Sequence, residues 1–322
     1  MRLNAVFLTG ATGCVGRYIL MQLLEQRIDL IYLLVRNPLR LPESLRNHVR
    51  IRILIGSLEN IECFSHELAQ VQVLIHAAVT WGGEATFAAN VDAVFAMIRL
   101  LNPERCIRIF YFSTASLLGS ASQLTPRSLF AGTDYIRSKA VCHIRLQQSI
   151  WRDKIYCVYP TVVLGGDAEH PFSAAGQGLY QLFFWMRWLR FVQIDGYFHW
   201  IHARDIARLI IHWIAVSPPE QHLVLGNAAV TVDEALNVFR RYAGFTNRIT
   251  LSLKPHLFWL TALLHTQMSD WDRYSLRHRF LTYSCWNPQK AGLEPGCESL
   301  EQMLLELGIN SRVYSRHSSD DL

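Results

Sequence analysis

AVFLTGATGCVGRYILMQLL, residues Ala5 to Leu24, is the stretch on which the reading of the chain turns. Ala5 to Leu8 is an apolar run long enough for a buried strand and too short for a helix. Gly10, Gly13 and Gly16 follow at three-residue spacing. Val15, Ile19 and Leu23, with Leu20 and Leu24 beside them, then recur at helical spacing. A strand that turns through glycines into a helix leaves unpaired N–H groups and the positive end of the helix dipole facing outward, a site for phosphate. A Cβ there would block the tight turn, the diphosphate or the packing of helix on strand. The spacing is G-x-x-G-x-x-G rather than G-x-G-x-x-G, so alone it also fits an ordinary strand-to-helix turn.

Outward from this stretch the apolar runs repeat. Leu30 to Val35, Val49 to Ile55, Val71 to Ala77, Ile107 to Ser113 and Ile155 to Tyr159 are expected as further strands. Helical patterns at 87–101 and 135–151 separate the later ones. Strands alternating with helices imply parallel βαβ units, hence an α/β fold with a Rossmann-type doubly wound parallel sheet. Beyond Gly165 the rhythm changes, and a smaller, partly helical C-terminal substrate lobe is expected. The expected division is a dinucleotide-binding domain over 1–166, with 197–228 returning to it. The substrate lobe takes 167–196 and 229–310, and 311–322 is a polar tail. Thr231 with Glu234 and Ser299 with Gln302 have the spacing of capping boxes, and Lys254-Pro255 opens another apolar helix through Leu264.

The 322 residues suffice for a sizeable core, with 51% hydrophobic residues and a formal charge of +5. No basic block interleaved with aromatics favours nucleic acid as a partner. Seven dispersed cysteines, without C-x-x-C or Cys/His ligand spacing, speak against a disulfide framework, and no metal site is expected. No apolar signal segment precedes the first strand, and the aromatic run from Leu179 to Val192 is too short and too charged to span a bilayer. A cytoplasmic protein acting on a small molecule is expected, with weak contact at a membrane surface left open.

Tyr135 and Lys139 stand four apart at the start of a helix and share one face. An ammonium beside a phenol favours the phenolate and lowers its pKa from about 10, making a group that exchanges protons near neutral pH. Lysines are few (Lys139, Lys154, Lys254 and Lys290), which draws notice to the pair. YFSTASLLG, Tyr111 to Gly119, ends the fifth strand, where open α/β sheets bind ligands. Ser113, Thr114 and Ser116 there offer hydroxyls for a substrate oxygen, although such residues also suit turns.

Together these pieces resemble the extended short-chain dehydrogenase/reductase superfamily, the branch that includes NAD-dependent epimerases and dehydratases. TGATGCVG is similar to its dinucleotide loop, His76-Ala77-Ala78 to its fourth-strand motif and Asn90 to the asparagine of its fourth helix. YFSTASLLG, Tyr135-x-x-x-Lys139, YPTVVLG (Tyr159 to Gly165) and IHARDIA (Ile201 to Ala207) follow in the family's order. The resemblance implies that Tyr135 exchanges the proton, that Lys139 tunes it and holds the nicotinamide ribose, and that Thr114 fills the catalytic Ser/Thr slot, with Ser113 and Ser116 in reserve. It further implies cofactor contacts at Gly10, Thr12, Gly13, Cys14, Val15, Gly16, Ser57, Leu58, His76, Ala77, Ala78 and Asn90. Pro160, Thr161 and Val163 would line the nicotinamide side. Oligomeric state stays open, with a homodimer the arrangement that the resemblance favours.

Several departures narrow the reading. NAD binders place an acid about 20 residues past the glycine loop; here Arg36 stands there, and an arginine pairs with a 2′-phosphate, so NADP(H) is favoured over NAD(H). Ser57 replaces the aspartate that many members carry near the adenine. Thr114 is followed by Ala115 and Ser116, not the Asp-Glu of sugar-nucleotide dehydratases. Phe198 stands where sugar-nucleotide enzymes tend to carry an arginine, with Arg187, Arg190 or Arg204 as substitutes. IYLLVRNP resembles the second strand of thioester and acyl reductases. Tyr180, Phe183, Phe184, Trp185, Trp188, Tyr197, Phe198 and Trp200 form either core or an apolar pocket. The expectation is an NADP(H)-dependent oxidoreductase that reduces a carbonyl, or oxidises a carbinol, of a fairly apolar small molecule. A nucleotide-sugar epimerase and a non-catalytic cofactor-binding assembly or sensing protein are the alternatives.

Overall fold

Along β1, Leu3–Thr9, successive side chains enter different cores: Ala5 and Phe7 one, Val6 and Leu8 the other. The computed structural model describes residues 2–120, 122–186, 190–245, 251–252 and 270–309. The strands that follow are β2 Ile28–Val35, β3 Ile51–Ile55, β4 Val73–His76, β5 Arg108–Phe112 and β6 Ile155–Pro160. Then come β7 Val162–Leu164, β8 Val192–Gln193, β9 Tyr197–Phe198, β10 Trp200–His202, β11 His222–Leu225, β12 Val230–Thr231 and β13 Leu251–Ser252. Seven of them form one sheet in the order β11-β6-β5-β4-β1-β2-β3. All of its pairings are parallel.

The same two-sided burial recurs in the other sheet strands: Tyr32 and Leu34 against Ile31 and Leu33, Ile109 and Tyr111 against Phe110 and Phe112. A sheet buried on both faces needs helices on both. One face carries helices Ala93–Arg99 and Asp134–Gln147, which insert Met97, Ile98, Ala140 and Leu146. The other carries helices Cys14–Leu24 and Ala203–Ala215, which insert Ile19, Leu20, Leu23, Ile206, Ile210 and Trp213. A third core, with Leu179, Phe183, Trp200, Phe239 and Met303, joins helices Ala174–Phe184, Val232–Tyr242 and Leu300–Glu306.

The structure refines some expectations. The helix expected from residue 87 begins as a π-helical turn, Ala88–Asp92, a distortion that is common at functional sites. Thr231 and Glu234 form a reciprocal capping box. Ser299 accepts from Gln302 N at 3.1 Å, but the Gln302 carboxamide accepts from Glu298 N, one residue ahead of the cap, so that box is offset. The aromatic run divides: Phe183 and Trp200 are core, whereas Phe184 and Trp185 are exposed. The helix expected from Lys254, the tail, Arg187 and Trp188 lie outside the described residues. Among the described residues no helix is long and apolar enough to cross a membrane.

Leu20 is fully buried between helix Cys14–Leu24 and the sheet. Leu20→Ala is expected to lower unfolding free energy by about 2–5 kcal/mol, read as a shift of the urea midpoint at unchanged slope.

Candidate active site

The order of the sheet strands reverses between β1 and β4, and their C-terminal ends meet at the hydroxyl of Thr9. Thr9 Oγ1 accepts from Ala78 N at 3.1 Å and lies 2.9 Å from His76 Nδ1. His76 Nε2, on the other side of the ring, is buried and has no partner among the described residues. Burial, then the nearby Lys139 charge, pulls His76 down to about 3, so the ring is neutral at pH 7.

Gly10 follows Thr9 with φ +81°, and a Cβ on it would lie 2.8 Å from the backbone of Ala77 and Ala78. A Cβ on Gly16 would lie 2.1 Å from Gly10 O. These two glycines let the loop, the neighbouring strand and the helix come together. A Cβ on Gly13 would meet nothing closer than Gly10 O at 3.4 Å. Gly13, Cys14 and Val15 face the cleft at the start of helix Cys14–Leu24; the Gly13 amide donates to Gly10 O at 2.9 Å, and those of Cys14 and Val15, in the first turn, have no intrahelical acceptor. Burial, then the charge of Asp167, pushes the Cys14 thiol up to about 12, so it stays uncharged. A cradle of uncharged groups and free amides fits a dinucleotide diphosphate. Arg17, which the sequence reading passed over, holds it: the buried guanidinium donates to Ala11 O at 3.3 Å and to Arg40 O at 3.0 Å. Its helix position among apolar neighbours was the available signal.

The cleft encloses about 850 Å³. Of the residues singled out in the sequence, Gly10, Gly13, Cys14, Val15, Gly16, Ala77, Ser113, Thr114, Ser116, Tyr135, Lys139, Pro160, Thr161 and Val163 line it. Thr12, Arg36, Ser57, Leu58, His76, Ala78 and Asn90 are not on its wall. Arg36 directly follows β2, is exposed and makes no hydrogen bond among the described residues. Ser57 is occupied as a helix cap: its Oγ accepts from Glu59 N at 3.2 Å and donates to Asn60 Oδ1 at 3.3 Å. Asn90 is a buried clamp. Its carboxamide takes Thr80 N at 2.9 Å, donates to Thr80 O at 2.8 Å and reaches Ser138 Oγ at 3.1 Å.

At the centre of the cleft the Lys139 ammonium, fully buried, donates to Phe112 O at 2.7 Å and lies 4.7 Å from the centre of the Tyr111 ring. Burial pulls it down to about 8. Burial also pushes the Tyr135 phenol up to about 12, opposed by a hydrogen bond from the Thr114 hydroxyl. This differs from the expected lowering by Lys139: the ammonium serves the strand carbonyl, and loss of water dominates at the phenol. Thr114 also caps the turn Ala115–Leu117. Ser113 is buried and its hydroxyl has no partner among the described residues, while Ser116 is exposed.

Trp81, also unforeseen, packs on helix Asp134–Gln147, with its ring 4.5 Å from that of Tyr135. The far wall is aromatic: Phe172, Tyr197, Phe198, Trp271, Tyr274 and Tyr283. Tyr283 reaches from this wall to the loop after β5, donating to Leu118 O at 3.1 Å and Ala115 O at 3.2 Å. Of the described lining residues, Lys139 and Arg279 carry cationic side chains, and Arg279 is spent on a two-pronged pair with Asp195 at 3.0 and 2.9 Å.

A family model described as the NAD dependent epimerase/dehydratase family matches residues 6–226. No curated protein matches the sequence. Among solved structures, the terminal R domain from the myxalamid PKS-NRPS biosynthetic pathway is 19% identical, with 99% of this chain and 92% of that one covered and a TM-score of 0.69. dTDP-glucose 4,6-dehydratase from Bacillus anthracis, in complex with NAD, is 15% identical over 98% of both chains, with a TM-score of 0.66. The Bordetella bronchiseptica enzyme WbmG, in complex with NAD and UDP, is 14% identical over 98% of this chain and 96% of that one, with a TM-score of 0.66. At such identities the likeness is one of fold.

Lys139 gives a pH signature. Its folded pKa of about 8 lies below the ordinary 10.5. Between those values the unfolded chain holds the extra proton, so the group's contribution to stability rises with pH. Chemical denaturation at several pH values is expected to show the wild type gaining on Lys139→Met as pH climbs through this window; a flat difference would contradict the buried ammonium.

Proposed function

The chain belongs to the NAD dependent epimerase/dehydratase family, and on that premise we propose that it is an NADP(H)-dependent oxidoreductase acting on a carbonyl or carbinol carbon of an apolar, ring-bearing small molecule. One observation carries this reading: the glycine cradle, the Thr114–Tyr135–Lys139 group and an aromatic wall share a single cleft. When bound, the nicotinamide supplies or accepts hydride. The amides of Cys14 and Val15 would hold the diphosphate, and Lys139 the nicotinamide ribose. Pro160, Thr161 and Val163 would form the wall beside the nicotinamide, although the Thr161 hydroxyl already donates to Leu225 O at 2.9 Å.

The phenol, with its raised pKa, is protonated at pH 7 and is therefore set to give a proton to a carbonyl oxygen as hydride arrives. Thr114 holds that oxygen beside Tyr135. Trp81 and the aromatic wall exclude water and favour a planar, apolar group next to the reacting carbon. Arg36, unpartnered at the end of β2, would meet a 2′-phosphate.

A nucleotide-sugar epimerase is the second reading, favoured by the fold shared with WbmG in its complex with NAD and UDP. Against it, the described lining offers no unengaged arginine for a diphosphate. NAD retained through purification together with a thermal shift on a UDP-sugar would select it. NADPH binding without turnover on any carbonyl would select a non-catalytic role.

With NADPH and a panel of aryl and alkyl aldehydes and ketones, Tyr135→Phe is expected to lower turnover by about 10²–10⁴-fold with cofactor affinity retained; unchanged turnover would remove Tyr135 from the proton step. Arg36→Asp is expected to weaken NADPH by about tenfold or more while NADH shifts by less than about twofold. Equal losses in a fluorescence titration would defeat the 2′-phosphate assignment.

A further inference from the structure

Outside the cleft, three metal-ligating side chains that are far apart in the sequence converge. His222 is the register partner of Cys157 across the β11–β6 pair, and His143 reaches them from helix Asp134–Gln147. One nitrogen from each imidazole and the Cys157 sulfur lie within 4.8 Å of one another. A fourth donor stands among them: the Tyr159 oxygen is 2.6 Å from His143 Nδ1 and 3.2 Å from His222 Nδ1. We propose that His143, Cys157 and His222 form a zinc site, with the Tyr159 oxygen closing the fourth position.

The donor set selects the ion. Two imidazoles and a thiolate are ligands of Zn²⁺, whereas Mg²⁺ and Ca²⁺ require oxygen cages. With metal–ligand bonds of about 2.0–2.3 Å, the edges of a tetrahedral site measure roughly 3.3–3.8 Å. The 3.2 Å contact of Tyr159 with His222 is close to such an edge, the 2.6 Å hydrogen bond to His143 has to open by about 0.7 Å, and the wider separations close by side-chain movements of about 1 Å. Cys157 is buried and His222 exposed, so the site has a closed floor and an entrance from solvent. Binding replaces the Cys157 thiol proton, which leaves to solvent, so the thiolate offsets half of the ionic charge.

With no place left for a reactant, the site is structural. It ties together helix Asp134–Gln147, β6 and β11. Lys139 lies one turn before His143 on that helix, and β6 ends at Pro160, so the ion braces two of the elements that carry the cleft.

The test uses the full chain, loaded with Zn²⁺ and dialysed into metal-free buffer. Elemental analysis is expected to find about one equivalent per chain, falling below about one-tenth in His143→Ala and in His222→Ala. Zinc at about 100 times its Kd is expected to raise the wild-type Tm by roughly 5 °C and to leave both variants unmoved. Co²⁺ loading is expected to give a thiolate-to-cobalt charge-transfer band that disappears in Cys157→Ser; should that variant not fold, the histidine variants decide. Less than about one-tenth of an equivalent in the wild type, or equal metal in the wild type and the histidine variants, overturns the assignment.

Discussion

The cleft exists because two parallel strands are held at their tips by one hydroxyl. Thr9 accepts the Ala78 amide and hydrogen-bonds His76, which fixes the ends of β1 and β4 side by side. Gly10 must then pass the Ala77–Ala78 backbone at a distance that leaves no room for a Cβ. The loop can turn only as it does, and helix Cys14–Leu24 starts where its amides face the gap. The neutral state of His76 belongs to the same constraint, since a charged ring would sit unsolvated beside Lys139.

The two ends of the cleft follow different physical rules. At the glycine end the protein supplies backbone amides and uncharged side chains, which suit an anion without choosing among dinucleotides. At the lobe end it supplies aromatic rings. Between them burial pulls the Lys139 ammonium down to about 8, opposed by Cys142 and Cys157, while its bond to Phe112 O fixes its place. That balance lies near physiological pH, so binding of a polar partner beside Lys139 shifts its proton occupancy as well as its contacts.

The parallel sheet was legible because each strand is a short apolar run and each turn carries a glycine, a proline or a polar cluster. Tyr135 and Lys139 were legible because a helix converts a spacing of four into a shared face. What the pattern did not carry was the destination of hydrogen bonds. Asn90 has the look of a ligand, yet its three bonds all go to protein; Ser57 caps a helix. The pKa of Tyr135 depends on depth, and depth is not written in a four-residue spacing. Trp81, Arg17 and Tyr283 were missed for a related reason, since each acts on a segment remote in sequence. The cluster of His143, Cys157 and His222 is the extreme case, created only when β11 pairs with β6. The aromatic run from Tyr180 to Trp200 mixed core with lining, and composition alone has no means of separating them.

The phenol of Tyr283 is a clasp between the lobe and the loop after β5, with both of its acceptors in the segment that follows Thr114. A wall built in this way reports on what it touches. A ligand that presses on the lobe side moves a backbone anchored next to the hydroxyl that would hold the reacting oxygen. Shape at the far end of the cleft would thereby be converted into alignment beside Thr114, so under the proposed activity a poorly fitting molecule would lose rate as well as affinity.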